Sequence, residues 1–155
     1  MTRRGDGKFF HGAIVVGTLL GLALVLSGCG SSNHNNINGN WTAALTNPDG
    51  SPAFSFTTSL TASGSSGINV TNLTFTTQNP CFSGTVNATG GFTVSGTFSG
   101  VTGGGFQMTL SSSTSDSKLV LTGTLNNNNS VSGKWMLTGS TSGCTGNGNF
   151  TMNKM

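Results

Sequence analysis

From Asn40 onward, apolar and polar residues of this chain alternate with a period of two. Trp41, Ala43 and Leu45 begin the pattern, and no segment after residue 28 has the period of a helix. Because successive side chains of a β-strand point to opposite faces, this spacing predicts half-buried strands. The predicted strands lie at about 40–46, 53–62, 68–77, 81–88, 92–99, 105–112, 118–125, 130–138 and 146–153.

Short turns between these segments indicate how the strands are arranged. The turns include NPDG at 47–50, TGG at 89–91, GGG at 103–105 and NNNN at 126–129. Turns of this kind join neighbouring antiparallel strands. The chain is therefore predicted to be all-β, an antiparallel meander of eight to nine strands. An up-and-down β-barrel is favoured because closure removes exposed strand edges, and a two-sheet β-sandwich is the alternative.

Four segments carry a glycine at the same phase as their apolar residues: FSGTV at 82–86, VSGTF at 94–98, LTGTL at 121–125 and VSGKW at 131–135. An inward glycine weakens a strand unless the strand bends sharply or another group comes close. The repeated glycines therefore favour a tightly coiled, closed sheet. In the third predicted strand, the apolar phase changes near Asn72, which predicts a β-bulge.

The alternation also predicts which side chains point into the barrel. Together they could fill an eight-stranded interior or, with the inward glycines, leave room for one small apolar ligand. The predicted interior residues are Trp41, Phe54, Phe56, Leu60, Phe82, Val86, Val94, Phe98, Phe106, Met108, Leu110, Leu119, Leu121, Leu125, Val131, Trp135, Leu137 and Phe150.

The N-terminal region has a different character. A basic head with Arg3, Arg4 and Lys8 precedes an uncharged, mainly apolar run at 12–26, the order typical of a secretory signal. The run ends in Leu26-Ser27-Gly28-Cys29, which resembles the lipobox of bacterial lipoproteins. An ordinary secreted protein or an uncleaved signal anchor is the alternative.

The lipobox resemblance implies cleavage after Gly28 and a diacylglycerol on the sulfur of Cys29, with fatty acids such as palmitate. It implies a signal peptide at 1–28, a lipidated flexible tether at 29–39 and a β-barrel domain at 40–155. The protein would then be anchored to a membrane of the bacterial cell envelope through the lipid on Cys29. On the same resemblance, a glycine rather than an aspartate at position 30, directly after the lipidated cysteine, favours sorting to the outer membrane.

Two further cysteines, Cys81 and Cys144, lie within the predicted domain. In an oxidising compartment, two cysteines of one small domain most often pair. We therefore expect a disulfide that closes a loop of about sixty residues, worth about 4 kcal/mol on the chain-entropy model. A two-cysteine metal site and two free thiols are the alternatives.

The charged residues give little support to catalysis or to nucleic-acid binding. After residue 28 the chain has three lysines and two aspartates, so no basic patch is expected to attract nucleic acid. Asp49 and Asp116 lie in predicted turns, and no histidine follows His34 to serve as a base or a metal ligand. We expect neither an enzyme nor a metal or cofactor site.

Two Gly-x-Trp triplets contain the tryptophans of the chain, Trp41 and Trp135. The first resembles the Gly-x-Trp of lipocalins and avidin-like barrels, in which the tryptophan closes one end or touches ligand. Lipocalins pack an arginine over that tryptophan, which here only Lys134 or Lys154 could partly replace. Avidin-like pockets use a tyrosine, which this chain lacks.

The resemblance implies a lipocalin-like barrel that binds a small apolar ligand non-covalently, with Trp41 and Trp135 as candidate ligand-binding residues. Packing in the core is the other interpretation of both tryptophans. The alternative function is a non-catalytic structural or interaction lipoprotein with a filled barrel. Its partner would be another envelope protein.

Overall fold

Eight antiparallel strands, each hydrogen-bonded to the next in sequence, close into a barrel because β1 also pairs with β8. The computed structural model describes residues 37–76, 80–86, 91–100 and 103–155. The strands in these parts of the chain are β1 (Gly39–Thr46), β2 (Pro52–Ser63), β3 (Gly67–Phe75), β4 (Phe92–Phe98), β5 (Gly105–Ser112), β6 (Lys118–Asn127), β7 (Ser130–Thr138) and β8 (Gly146–Lys154). The predicted all-β meander and its closure into a barrel are confirmed.

The up-and-down order gives the barrel two different ends. The entry end holds the start of β1 at Gly39 and the hairpin turns between β2 and β3, β4 and β5, and β6 and β7. The disulfide end holds the other four connections, which include Cys81 and Cys144. Within the described residues, no helix is long and apolar enough to cross a membrane.

The interior contains nearly all of the residues that the alternation predicted. Phe54, Val86 and Val94 are partly buried and pack against the core, and the other predicted residues are buried. The core also contains apolar residues that the prediction omitted, namely Ile37, Ala43, Leu45, Ile68, Val70, Leu73, Phe92 and Met152.

Two of the predicted inward glycines face each other across β6 and β7. Gly123 is the register partner of Gly133, and a Cβ at Gly133 would lie 2.4 Å from the Cα of Gly123. Phe106 and Phe150 flank this pair in register, and their ring centroids are 6.2 Å apart. The space that the glycines provide is therefore occupied by phenylalanine rings.

The predicted bulge is present in β3. Thr57 pairs with Thr74 and Ser59 pairs with Thr71, so Thr58 alone lies opposite two residues, Asn72 and Leu73. Asn72 has a positive φ of 51°. The side chain of Thr58 is buried there, and its hydroxyl donates a hydrogen bond of 3.0 Å to the carbonyl of Thr71. The extra residue thus changes which side chains of β3 point inward.

The predicted strand at 81–88 is wrong over its described residues, which form turns and bends with one isolated bridge from Val86 to Phe92. Gly84, predicted to be an inward strand glycine, has a φ of 82° outside any strand. Phe82 instead stacks on Phe75 with centroids 5.7 Å apart and contacts Phe92 at 5.8 Å. The segment therefore packs against the barrel as a wedge.

The wedge lies beside β3 and β4, the two neighbouring strands with the fewest paired residues. Within the described strands, β3 and β4 pair only through Gly67 with Thr97 and Ile68 with Gly96. Both pairs lie near the entry end, so the rings of Phe75, Phe82 and Phe92 supply contacts between β3 and β4 toward the disulfide end.

At its start, the domain extends beyond the predicted boundary at residue 40. Ile37 is buried, and the side-chain oxygen of Asn38 accepts a hydrogen bond of 2.6 Å from the amide of Ala62. The last residues of the expected tether are thus part of the barrel. Cys29, the predicted lipidation site, lies outside the described residues.

Candidate binding cleft at the disulfide end

An open cleft of about 260 Å³ lies at the disulfide end of the barrel. Its lining comes from the start of β2, the end of β7, the start of β8 and the segment around the disulfide. The lining residues are Asn47, Pro52, Ala53, Phe54, Pro80, Cys81, Trp135, Leu137, Gly143, Thr145 and Gly146. None of these side chains is charged, so the cleft is suited to a neutral group.

The indole of Trp135 is positioned by two glycines of β8. A Cβ at Gly146 would lie 3.0 Å from indole Cη2, and one at Gly148 would lie 2.8 Å from Nε1. With no side chains at these positions, the ring lies across β8, and Nε1–H donates a hydrogen bond of 2.8 Å to the carbonyl of Thr46. The hydrogen bond links β7 to the end of β1 and satisfies the buried polar atom of the ring.

A chain of aromatic rings continues from Trp135 into the barrel. Phe54 meets Trp135 edge to face with centroids 5.4 Å apart, and Phe75 lies 6.0 Å from Phe54. Phe75 in turn contacts Phe56 at 5.8 Å. Such tilted and edge-to-face pairs are the favoured aromatic arrangements. The inner wall of the cleft is therefore apolar and closely packed.

The Cys81–Cys144 disulfide, expected from the sequence, is present and forms another wall of the cleft. The two Cα atoms are 5.4 Å apart, within the usual range, and the bridged residues are 63 positions apart in the chain. Both cysteines are buried. The disulfide holds the segment that carries Pro80 and Phe82 against the loop that precedes β8.

The turn between β1 and β2 forms part of the rim. The Asp49 carboxylate accepts hydrogen bonds from the Ser51 hydroxyl at 2.7 Å and from the Ser51 amide at 2.9 Å. These bonds lower the pKa of Asp49. The Asn47 side-chain amide donates to the Ser51 hydroxyl at 3.0 Å. Turn chemistry thus accounts for Asp49, and the Asn47 amide remains at the edge of the cleft.

The loop between β7 and β8 is held by Asp116. Its carboxylate accepts the Ser140 amide at 2.9 and 3.0 Å and the Ser140 hydroxyl at 3.0 Å. The amide and then the hydroxyl lower the pKa of Asp116. Because Ser140 lies in the loop that leads to Cys144, this hydrogen-bonded pair supports the cleft from outside.

Trp41, the other candidate ligand-binding residue, lies at the entry end. It is fully buried, and its Nε1–H donates a hydrogen bond of 2.8 Å to the carbonyl of Ile37. Its register partner is Lys154, whose Cε lies 2.5 Å from where a Cβ of Gly39 would be. Lys134 instead points outward and donates to Asn149 at 2.6 Å. The structure thus places the two tryptophans at opposite ends.

A second cleft, of about 480 Å³, lies on the outer face of β7 and β8. Its lining includes Pro48, Lys134, Asn149 and Met136, whose side chain is 53% exposed. Trp135 lines this outer cleft as well, beside the exposed methionine. Among the described residues, no three or more His, Cys, Asp or Glu side chains come together to hold a metal ion.

Sequence reasoning named Trp135 as a site candidate but missed most of its neighbours. Pro52 begins β2, whereas Pro80 and Thr145 lie in two separate connections, and only the closed topology brings the three together. One signal was available, since Gly146 and Gly148 have the inward phase of β8 in the sequence GNGNF. Two inward glycines predict the close approach of a large side chain.

Comparison of the chain with protein-family models, with curated proteins and with solved structures found no match. The closed eight-stranded meander is compatible with a calycin-like fold. This likeness concerns the architecture alone.

Proposed function

We propose that this protein is a lipid-anchored, non-catalytic binding protein of the bacterial cell envelope. It binds a small, neutral apolar group non-covalently in the cleft at the disulfide end. The observation that carries the proposal is the cleft itself, in which Trp135, Phe54 and Leu137 converge with the disulfide. Convergent apolar side chains in a concave site are typical of small-molecule binding.

The cleft is a better binding place than the centre of the barrel. The rings of Phe106 and Phe150 meet above the paired glycines Gly123 and Gly133, where the sequence had suggested space. Repacking such an interior to admit a ligand would displace buried aromatic side chains, which costs several kcal/mol. The cleft already exists and needs no such change.

The size and polarity of the cleft define the ligand. A volume of about 260 Å³ is slightly below the usual range of drug-sized pockets, about 300–1,000 Å³. It suits a single small ring system or a short alkyl group. Asn47 and Thr145 at the rim can exchange hydrogen bonds with one polar substituent.

The lipid anchor is supported by the LSGC sequence that ends at Cys29 and by the disulfide, since disulfides persist in oxidising compartments such as the bacterial periplasm. In a lipoprotein-processing bacterium, radioactive palmitate should label the wild-type chain and leave Cys29→Ser unlabelled. Equal labelling of both, or of neither, would refute the anchor.

The cleft is tested with the neutral fluorescent probe 1-naphthylamine, which has a single fused ring system. We expect saturable binding to the wild type and at least a tenfold loss of affinity in Thr145→Arg, because the long side chain would occupy the cleft. Thr151→Arg, at an exposed outward position of β8, is the matched control and should bind as the wild type does. Met136→Gln changes the outer cleft and should also leave binding unchanged.

A second candidate function is favoured by the packing of Phe106 against Phe150, which fills the centre of the barrel. In that case the barrel would be an interaction protein that contacts another envelope protein. If the probe does not bind, or binds equally to Thr145→Arg, the interaction function replaces ligand binding. Loss of binding in Met136→Gln alone would move the ligand site to the outer cleft.

A further inference from the structure

We propose that the barrel is held with its entry end toward the anchoring membrane and its disulfide end away from it. The surface that faces the lipid consists of the entry-end turns, and the cleft opens toward the aqueous side. The cleft would therefore take its ligand from solution or from a facing layer, rather than from the bilayer that holds the protein. This inference rests on the proposed lipid anchor at Cys29.

The first argument is where the chain becomes fixed to the barrel. The Ile37 carbonyl accepts the indole N–H of Trp41, and Asn38 accepts the amide of Ala62. Both contacts lie at the entry end, so only residues 29–36 separate the lipidated sulfur from the barrel. Eight residues span at most about 28 Å even when fully extended.

The second argument is the height of the barrel. β1 has 8 residues, which corresponds to about 26 Å along the strand. With a typical barrel tilt of about 40°, the wall is about 20 Å high, and the connections at the disulfide end add to this height. The disulfide end could face the bilayer only if the tether were stretched almost straight along the whole wall.

The third argument is the distribution of charge. The exposed carboxylates of Asp49 and Asp116 both lie at the disulfide end. Among the described residues, Lys118 is the only lysine at a strand end on that side. The entry-end turns at 63–67 and 127–130 contain only Ser, Gly and Asn, and Lys154 ends β8 on that side. Anionic lipid headgroups therefore repel the disulfide end more than the entry end.

The two tryptophans allow a direct test, because each lies at one end and the chain has no tyrosine. The lipidated protein is placed in phosphatidylethanolamine–phosphatidylglycerol vesicles that contain a dansyl-labelled headgroup lipid. Trp135→Phe leaves Trp41 as the donor, and Trp41→Phe leaves Trp135. We expect energy transfer to dansyl to be at least twice as efficient from Trp41 as from Trp135.

Equal transfer, or stronger transfer from Trp135, would overturn the orientation. Failure of the wild type to float with the vesicles would overturn the anchor, so the two proposals fail in different ways. A second measurement needs no variant. With nitroxide headgroup lipids, amide signals of the wild type should broaden more at Asn128, in an entry-end turn, than at Gly50, in a disulfide-end turn. The opposite order would refute the orientation.

Discussion

The two ends of the barrel are closed in different ways, and each is closed around one tryptophan. At the entry end, Trp41 donates its indole N–H to Ile37, only four residues earlier in the chain. At the disulfide end, Trp135 donates to Thr46, which is 89 residues away. The indole at the first end is therefore bonded within its own segment of the chain, whereas the indole at the second end links distant segments.

This difference separates the end with the fully buried tryptophan from the end that holds the proposed binding cleft. Trp41 is completely buried and lines no described cleft, whereas Trp135 is 4% exposed and lines the cleft at its end. The disulfide and the bonds between Asp116 and Ser140 also hold the disulfide end together. Binding sites often lie where loops from several strands meet on a rigid scaffold.

Removal of each tryptophan should show the contrast most strongly. Trp41→Ala should lower the free energy of unfolding by about 4–5 kcal/mol, because a fully buried ring leaves a cavity. Trp135→Ala should cost about 3 kcal/mol, since water from the open cleft can enter the space left by the ring. Urea denaturation followed by circular dichroism measures both values.

The binding assay then separates the two roles. Phenylalanine is a milder replacement than alanine and is used for this assay. Trp41→Phe should bind the naphthylamine probe as the wild type does, whereas Trp135→Phe should bind more weakly. The contrast between the ends would be wrong if both variants lost binding to the same degree.

Removal of the disulfide should have the next largest effect after Trp41→Ala. The double variant Cys81→Ala/Cys144→Ala should lose about 4 kcal/mol of stability, the value for a closed loop of this length on the chain-entropy model. The loss should be accompanied by weaker probe binding, because the disulfide forms one wall of the cleft. Urea midpoints with and without reductant provide the measurement.

Reductant should destabilise the wild type and leave the double variant unchanged, which separates the disulfide from unrelated effects of the reagent. Amide exchange should increase near Phe82 and Cys144 before it increases near Trp41. Uniform acceleration at both ends would contradict a separate contribution of the disulfide to its own end.

The fold was largely predictable because each strand carries its own signal. The alternation around Trp41, Met108 and Leu121 specified inward faces, and the change of phase at Asn72 marked the bulge. The segment at 81–88 shows where such reasoning fails. Phe82 and Val86 have strand-like spacing, yet the neighbouring disulfide and the positive φ of Gly84 place the segment outside the ladder.

The cleft was less predictable than the fold, for a physical reason. Trp135 could be named from its triplet, but Pro52, Pro80 and Thr145 have no local pattern that points to a site. Their proximity depends on the order and closure of the strands and on the disulfide. The sequence also could not predict that the centre of the barrel is filled, since inward glycines at 123 and 133 are compatible with either a cavity or the approach of two rings.

The two β8 glycines against which the Trp135 indole packs, Gly146 and Gly148, predict a smaller but specific effect. A Cβ at Gly148 would lie 1.8 Å from the Thr46 carbonyl oxygen and 2.8 Å from Trp135 Nε1. Gly148→Ala should therefore destabilise the barrel by about 2 kcal/mol, as expected for overpacking, and shift the tryptophan emission because Nε1 loses its bond to Thr46. Thermal unfolding and fluorescence of the Trp41→Phe background measure these effects.

Gly105→Ala is the matched control, because a Cβ at this strand position has no atom within 4 Å. It should change stability by less than about 0.5 kcal/mol. If Gly148→Ala were as harmless as this control, the two glycines of β8 would not be needed to seat the indole.

On acidification, protonation of Asp116 should weaken the hydrogen bonds that hold the disulfide end. This is the smallest of the predicted effects. Hydrogen bonds from Ser140 hold the folded pKa of Asp116 below its ordinary value of 3.8. A carboxylate with a lowered pKa contributes stability above its unfolded pKa, and this contribution disappears as the pH falls through the folded value. The thermal midpoint should thus be steady between about pH 7 and 5 and should fall below about pH 4.

Asp116→Asn should reduce that decline and speed exchange of the Ser140 amide at neutral pH. Asp49→Asn, whose bonds stay within its own turn, should leave Ser140 exchange unchanged. If Asp116→Asn and the wild type lost stability equally on acidification, the bonds to Ser140 would not hold this end of the barrel.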